Sequence, residues 1–241
     1  MARQIQIGLL PSRPPTIDCS RIAVYSTPSR TVGGDFYDFI PIDDNRLGIV
    51  IADASGKGMP AALMIAQIQA ILRSEVYNGN DIGTILSNMN RLVLSSSTAE
   101  SYATLFYAEL NLKTAELEYA NAGHNYPVLA RADGSLELLQ DGGPIIGALP
   151  DMKYHSKKVK LAADDVLFLF TDGVSEAMDA DENEFGEERI RSMVIELRAS
   201  EPESMMNSIL AEVRKHDPTE PPRDDTTVIA MKITGNGTPH D

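Results

Sequence analysis

Short runs of alternating or continuous apolar residues fill most of the chain, and helical spacing replaces them in five stretches. Residues 3–10 read as the end of an amphipathic helix, stopped by Pro11 and by Pro14-Pro15. Residues 20–27 and 35–42 read as strands, and Asp43-Asp44-Asn45 turns the chain into a third at 46–52. These three are expected to form a meander. Apolar residues then recur at three- and four-residue intervals over 60–76 and 81–96, with Pro60 in a first turn and Asp81 as N-cap, which predicts a helical hairpin. Strands are predicted over 102–110, 116–121, 127–130 and 136–139 as a second meander, followed by 154–161 and 166–171. Helices at 185–198 and 202–216 and a last strand at 226–233 complete the chain, and residues 140–152 read as a long surface loop. Strand clusters enclosing a helical pair, without regular βαβ alternation, predict an α+β fold with two mainly antiparallel sheets packed face to face and helices outside.

With 241 residues the chain can bury roughly 70 to 75% of its unfolded surface. A formal charge of −14, from 21 basic and 35 acidic residues, argues against nucleic acid or an anionic membrane as a partner. Cys19 is the single cysteine, so no intrachain disulfide forms, and neither a secretory signal nor a membrane-spanning apolar run is present. The simplest reading is a cytoplasmic protein without membrane insertion.

Chemistry concentrates around residues 47–64. An apolar run ends on Asp53, the Gly56-Lys57-Gly58 turn follows, and Pro60 opens a helix. One aspartate at a strand end is usually a turn former. Here the pattern repeats: Asp35 follows Gly33-Gly34, Asp172 lies between an apolar run and Gly173, and Asp224-Asp225 precede the run at 226–229. If such strand ends converge, two carboxylates about 4 Å apart repel by roughly 4 kcal/mol at an effective dielectric near 20, and cations must relieve it. Hard oxygen ligands without a cysteine or histidine cluster select Mg²⁺, Mn²⁺ or Ca²⁺ over zinc, which points to a two-metal site.

In order along the chain, Gly33-Gly34-Asp35-Phe36-Tyr37-Asp38, Asp53-Ala54-Ser55-Gly56-Lys57-Gly58, Asn121-Ala122-Gly123-His124, Thr171-Asp172-Gly173-Val174 and Arg223-Asp224-Asp225-Thr226-Thr227 resemble the signatures of the SpoIIE/RsbU branch of metal-dependent type-2C protein phosphatases. The resemblance spans residues 3–233. It implies an α-β-β-α sandwich and hydrolysis of phosphoserine or phosphothreonine, typically on STAS-type anti-anti-sigma proteins in partner-switching pathways. Two divalent cations, Mn²⁺ or Mg²⁺, are implied as cofactors, with a water between them becoming the attacking hydroxide. By position, Asp53 resembles the carboxylate that bridges both ions, and the Ala54 carbonyl the adjoining ligand. Asp172 and Asp224 resemble ligands of one ion, and Asp35 one that binds directly or through water. Asp225 joins the metal set below Asp224. Arg30, Gly34, Ser55 and Gly56 are the implied substrate-binding residues. One position departs from relatives outside this branch, since Ser55 stands where they carry a histidine acid; Arg30 lies where an arginine contacts phosphate in them, or is simply a solvated loop residue. The resemblance divides the chain into a linker helix and loop at 1–15, one phosphatase domain at 16–234 and a flexible tail at 235–241. Because the helix at 3–10 begins almost at Met1, it reads as a segment of a longer chain with a sensor or receiver domain upstream, or else as a short terminal helix, and the resemblance further implies control through the helices near 60–97 and a homodimer.

Other readings are weaker. The Gly33-Gly34-Asp35-Phe36 turn lacks the second acid of a GGDEF cyclase, and Ser55-Gly56-Lys57-Gly58 lacks Walker spacing. His124 reads as a loop organiser, with His155, His216 and His240 scattered singly; Asp38 reads as structural, Met59, Met64 and Met89 as core filler, and 179–188 as a solvated acidic loop. The alternative from another class is a catalytically silent binding module of the same fold in a partner-switching pathway.

Overall fold

Strand-forming runs alternate with helical ones in the order α1 (Ala2–Ile7), β1 (Ser20–Thr27), β2 (Asp35–Asp43), β3 (Arg46–Ala54), α2 (Met59–Tyr77), α3 (Ile82–Ser96), β4 (Ala103–Asn111) and β5 (Glu116–Ala122). There follow β6 (Val128–Ala130), β7 (Leu136–Leu138), β8 (Gly142–Gly143), β9 (Lys157–Lys160), β10 (Val166–Phe170), α4 (Asp172–Ser175), α5 (Glu187–Leu197), α6 (Pro202–His216) and β11 (Thr226–Ile233). The structure, a computed structural model, describes residues 2–96 and 101–235; the expected tail beyond residue 235, including His240, and residue 97 of the expected control region lie outside the described residues. By internal packing the chain forms two units, one from Met1–Ser12, Arg30–His124 and Leu139–Lys160, the other from Arg13–Ser29, Asn125–Leu138 and Leu161–Asp241.

The first unit holds a sheet in the order β2-β3-β4-β5-β8, with β9 also on β5. Period-two alternation puts Phe36, Ile40, Val50 and Ala52 on one face, where they pack with Ile65, Ile68 and Leu72 of α2 and Ile85, Leu86 and Met89 of α3. Asp38 shares that buried face. Arg73 of α2 reaches it with two hydrogen bonds, Nε to Oδ2 at 2.8 Å and Nη2 to Oδ1 at 3.0 Å, so the acid is structural as expected. Asp81 caps α3 by accepting the Thr84 N–H at 3.0 Å and its hydroxyl at 2.7 Å. Met64 and Met89 fill the core, whereas Met59 is exposed at the start of α2 and does not.

The second unit holds a sheet in the order β1-β11-β10-β6-β7. Ala23, Phe168, Phe170, Val228 and Ala230 pack with Ile190 and Val194 of α5 and Met205, Ile209 and Val213 of α6. Neither expected meander forms as read. β1 pairs with β11 rather than β2, and β6 and β7 join β10 rather than β5. Seven residues including Pro28, Gly33 and Gly34 separate β1 from β2, too many and too stiff for a tight hairpin. The expected surface loop is also partly internal. Gly142 and Gly143 form a short parallel strand against Asn121 and Ala122, and Ile146 is buried and bridges Ala103.

Candidate active site

The sequence reading puts Asp53 just past its strand; in the structure it lies inside β3, because β4 continues the ladder as far as the Ala54–Ala103 pair. Asp35, the first residue of β2, stands directly opposite Asp53. The Ala54 N–H donates to the Gly34 carbonyl at 3.1 Å, which makes residues 34 and 54 the hydrogen-bonded pair. Residues 35 and 53 are therefore a non-hydrogen-bonded pair, the geometry in which opposed side chains stand closest. Asp35 is buried and Asp53 half-buried. Like charges so placed destabilise a sheet, and a divalent cation relieves them.

The Gly34 position adds a second constraint. A Cβ built there would lie 2.8 Å from the Ala54 carbonyl oxygen and 3.3 Å from Asp53 Oδ1. Both oxygens lean over the same small space, which only glycine leaves open. A carbonyl and a carboxylate are the hard donors that Mg²⁺ or Mn²⁺ prefers, so this corner fits such an ion.

On the other side of Asp53 in register is Thr104, whose hydroxyl is 2.9 Å from His124 Nδ1. His124 is buried, its N–H donates to Asn121 Oδ1 at 2.7 Å, and its carbonyl accepts from Asn121 Nδ2 at 3.0 Å. It organises its loop, as read from sequence. Thr104 carried no signal, since a threonine within a strand is ordinary. The N-terminal segment also reaches this corner: the Gln6 side-chain amide donates to the Gly33 carbonyl at 2.7 Å and accepts the Gly33 N–H at 3.0 Å. Leu9 and Pro11 carbonyls accept from Gln69 at 2.7 Å and the Tyr37 hydroxyl at 3.0 Å. Helix α1 itself ends at Ile7, short of the expected residue 10.

Of the implied substrate-binding residues, Gly56 adopts φ +89° with open space around it, in the left-handed region that suits glycine. Arg30 is exposed. Ser55 closes a clasp with Tyr102, its N–H donating to the Tyr102 carbonyl at 2.8 Å and its hydroxyl accepting the Tyr102 N–H at 3.0 Å.

In the second unit Asp172 opens the one-turn α4, an element absent from the sequence reading. A Cβ on Gly173 would sit 1.9 Å from the Asp225 carbonyl oxygen, so this turn presses against the Asp224-Asp225 backbone and admits only glycine. Thr171 fixes the contact, donating its N–H to the Thr227 carbonyl at 3.0 Å and accepting the Thr227 N–H at 2.9 Å. Asp224 is half-buried. Asp225 is buried, and its Oδ1 accepts the Ser29 N–H at 2.7 Å and hydroxyl at 2.9 Å, which ties it to the chain leaving β1. Among the described residues, neither unit by itself gathers three His, Cys, Asp or Glu side chains that could hold an ion.

Comparison with known proteins gives one family. The sequence model described as Stage II sporulation protein E (SpoIIE) matches residues 43–234. The phosphoserine phosphatase RsbU of Bacillus subtilis (strain 168) is 30% identical over 234 residues, which cover 96% of this chain and 69% of the relative. Phosphoserine phosphatase RsbP of the same organism is 29% identical over 178 residues, 72% of this chain and 44% of the relative. Among solved structures, the SiaA-PP2C domain of Pseudomonas aeruginosa aligns with a TM-score of 0.82 at 22% identity, covering 96% of this chain and 94% of that one. RsbX in complex with magnesium aligns with a TM-score of 0.67 at 19% identity, covering 91% and 98%. These likenesses show the α+β fold with two mostly antiparallel sheets that the sequence predicts.

Proposed function

The chain belongs to the SpoIIE family of type-2C protein serine/threonine phosphatases, and from that premise we propose that it removes phosphate from phosphoserine or phosphothreonine on a STAS-type regulatory protein. The observation that carries the reading is Asp35 facing Asp53 in the closest cross-strand geometry, with the Ala54 carbonyl beside them. Asp35, Asp53 and the Ala54 carbonyl would hold a divalent cation in the first unit, and Asp172 and Asp224 are the further ligands that the family resemblance implies. When bound, Mn²⁺ or Mg²⁺ supplies Lewis-acid activation of water for attack on phosphorus and offsets the charge on the phosphoryl oxygens. The chain's own residues do the rest. Gly34 keeps the space beside the Ala54 carbonyl and Asp53 Oδ1 open, Gly56 turns the loop that follows, Arg30 would meet the phosphate, and Asp225, whose Oδ1 is held by Ser29, would join the ion ligands below Asp224.

The contacts of Gln6 with Gly33 and of Leu9 with Gln69 support control of this site through the N-terminal segment and α2, by an upstream sensor or receiver domain. Met59 and Leu63, exposed near the start of α2, support a homodimer contact there. No helix among the described residues is long and apolar enough to cross a membrane.

The test is phosphate release, with and without Mn²⁺, from p-nitrophenyl phosphate and from a phosphorylated STAS-type protein. Wild type is expected to turn over both only with Mn²⁺, and Asp53→Asn neither. Equal rates for the two proteins reject catalysis and favour a silent binding module.

A further inference from the structure

The second unit carries an open sheet edge that the phosphatase reading does not use. Among the described residues β1 is the terminal strand of its sheet, with β11 along one side and, on the other, an isolated bridge from Ile17 at Ser20. Two hydrogen bonds at its start give the direction of its backbone groups. The Thr234 N–H donates to the Cys19 carbonyl at 2.9 Å, on the β11 side, while the Ser20 N–H donates to the Ile17 carbonyl at 3.4 Å, away from it. Alternate residues of a strand turn their N–H and C=O to opposite sides, so Ile22 and Val24 share the direction of Ser20 and present theirs outward.

Along this edge runs a groove of about 1050 Å³, lined by Pro14 and Pro15 and by Pro202 and Met206 of α6. Its charge is one-sided. Among the described residues, Asp18, Glu201 and Glu203 line it against a single cation, Arg21, which pairs with Glu201 at 3.5 Å. Ser20 lines it too, 6% exposed, and its hydroxyl has no hydrogen-bond partner among the described residues.

We propose that this groove takes an extended, lysine- or arginine-bearing segment of a partner protein, which adds to β1 as a further strand. Outward N–H and C=O groups at Ile22 and Val24 are a template for strand addition, and the proline-lined walls admit an extended chain. The carboxylates of Asp18 and Glu203 select basic side chains. They also disfavour a second copy of this chain, which carries −14 and would bring its own acidic groove to the contact.

The experiment titrates a labelled Val-Lys-Val-Lys-Val peptide, and its Val-Glu-Val-Glu-Val counterpart, into the whole chain by fluorescence anisotropy, with amide hydrogen exchange read in parallel. The basic peptide is expected to bind at least about tenfold more tightly than the acidic one and to slow exchange at Ile22 and Val24. Val24→Pro deletes an outward donor without touching the β11 ladder, and Asp18→Lys with Glu203→Lys reverses the charge; each should weaken binding about tenfold. Should Val24→Pro fail to fold, the charge-reversed protein decides. No binding, equal affinity for both peptides, or protection confined to other residues overturns the proposal. So does concentration-dependent protection of Ile22 and Val24 without peptide, which would assign the edge to a second copy.

Discussion

Replacing Asp35 by asparagine should make the metal-free protein more stable while weakening its response to metal. Asp35 and Asp53 oppose each other as a non-hydrogen-bonded pair. At about 5 Å and an effective dielectric near 20, two full charges repel by roughly 3 kcal/mol. Asp53 is only half-buried, so solvent screening reduces the figure to about 1 kcal/mol. For a chain of this size that corresponds to a rise in Tm of about 2 to 4 °C in EDTA. Wild type with Mn²⁺ at a hundred times its Kd should gain about 2.7 kcal/mol, and the variant clearly less because one ligand has gone. Thermal denaturation of both proteins, in EDTA and in Mn²⁺, reads the two effects separately. If Asp35→Asn lowers Tm in EDTA, or keeps the full Mn²⁺ response, the cation-relief reasoning is refuted.

Three further outcomes are expected. Gly173→Ala puts a Cβ 1.9 Å from the Asp225 carbonyl oxygen and should cost about 3 kcal/mol in chemical denaturation, together with the phosphatase activity. Asp81→Ala should cost about 1 kcal/mol at neutral pH. Hydrogen bonds from the Thr84 hydroxyl and N–H hold the Asp81 carboxyl below its ordinary value, so its stabilisation is complete above the unfolded pKa, and the gap between the proteins should close as pH falls through the folded one. Gln6→Ala removes both hydrogen bonds to Gly33 and should change the rate of Mn²⁺-dependent turnover with little effect on Tm; an unaltered rate would sever the N-terminal segment from the site.

Much of the fold was legible because burial writes itself into spacing. β1, α6 and β11 have the bounds that alternation and helical periodicity predict. What spacing does not carry is partnership between distant segments. β1 reads like any half-buried strand, and nothing within residues 20–27 says that its neighbour is β11, some two hundred residues on. Gly142 and Gly143 misled for a related reason. Taken as loop markers, they are glycine because the chain crosses Asn121 so closely that a Cβ on Gly142 would lie 2.0 Å from the Asn121 carbonyl oxygen. At the site, the acids announced themselves through their glycine neighbours, and Gly34 and Gly173 prove to be the positions where backbone approach forbids a side chain. Thr104 and the Gln6 clamp stayed hidden, since both act through register and tertiary contact rather than local pattern.

Calorimetric titration of Mn²⁺ into the metal-stripped chain, beside Asp53→Asn, reads ion uptake at the opposed carboxylates of β2 and β3. Saturable uptake of two ions by the wild type and its loss in the folded variant is the predicted result. No uptake, or identical isotherms for the two proteins, would contradict a metal-dependent phosphatase centred on Asp53.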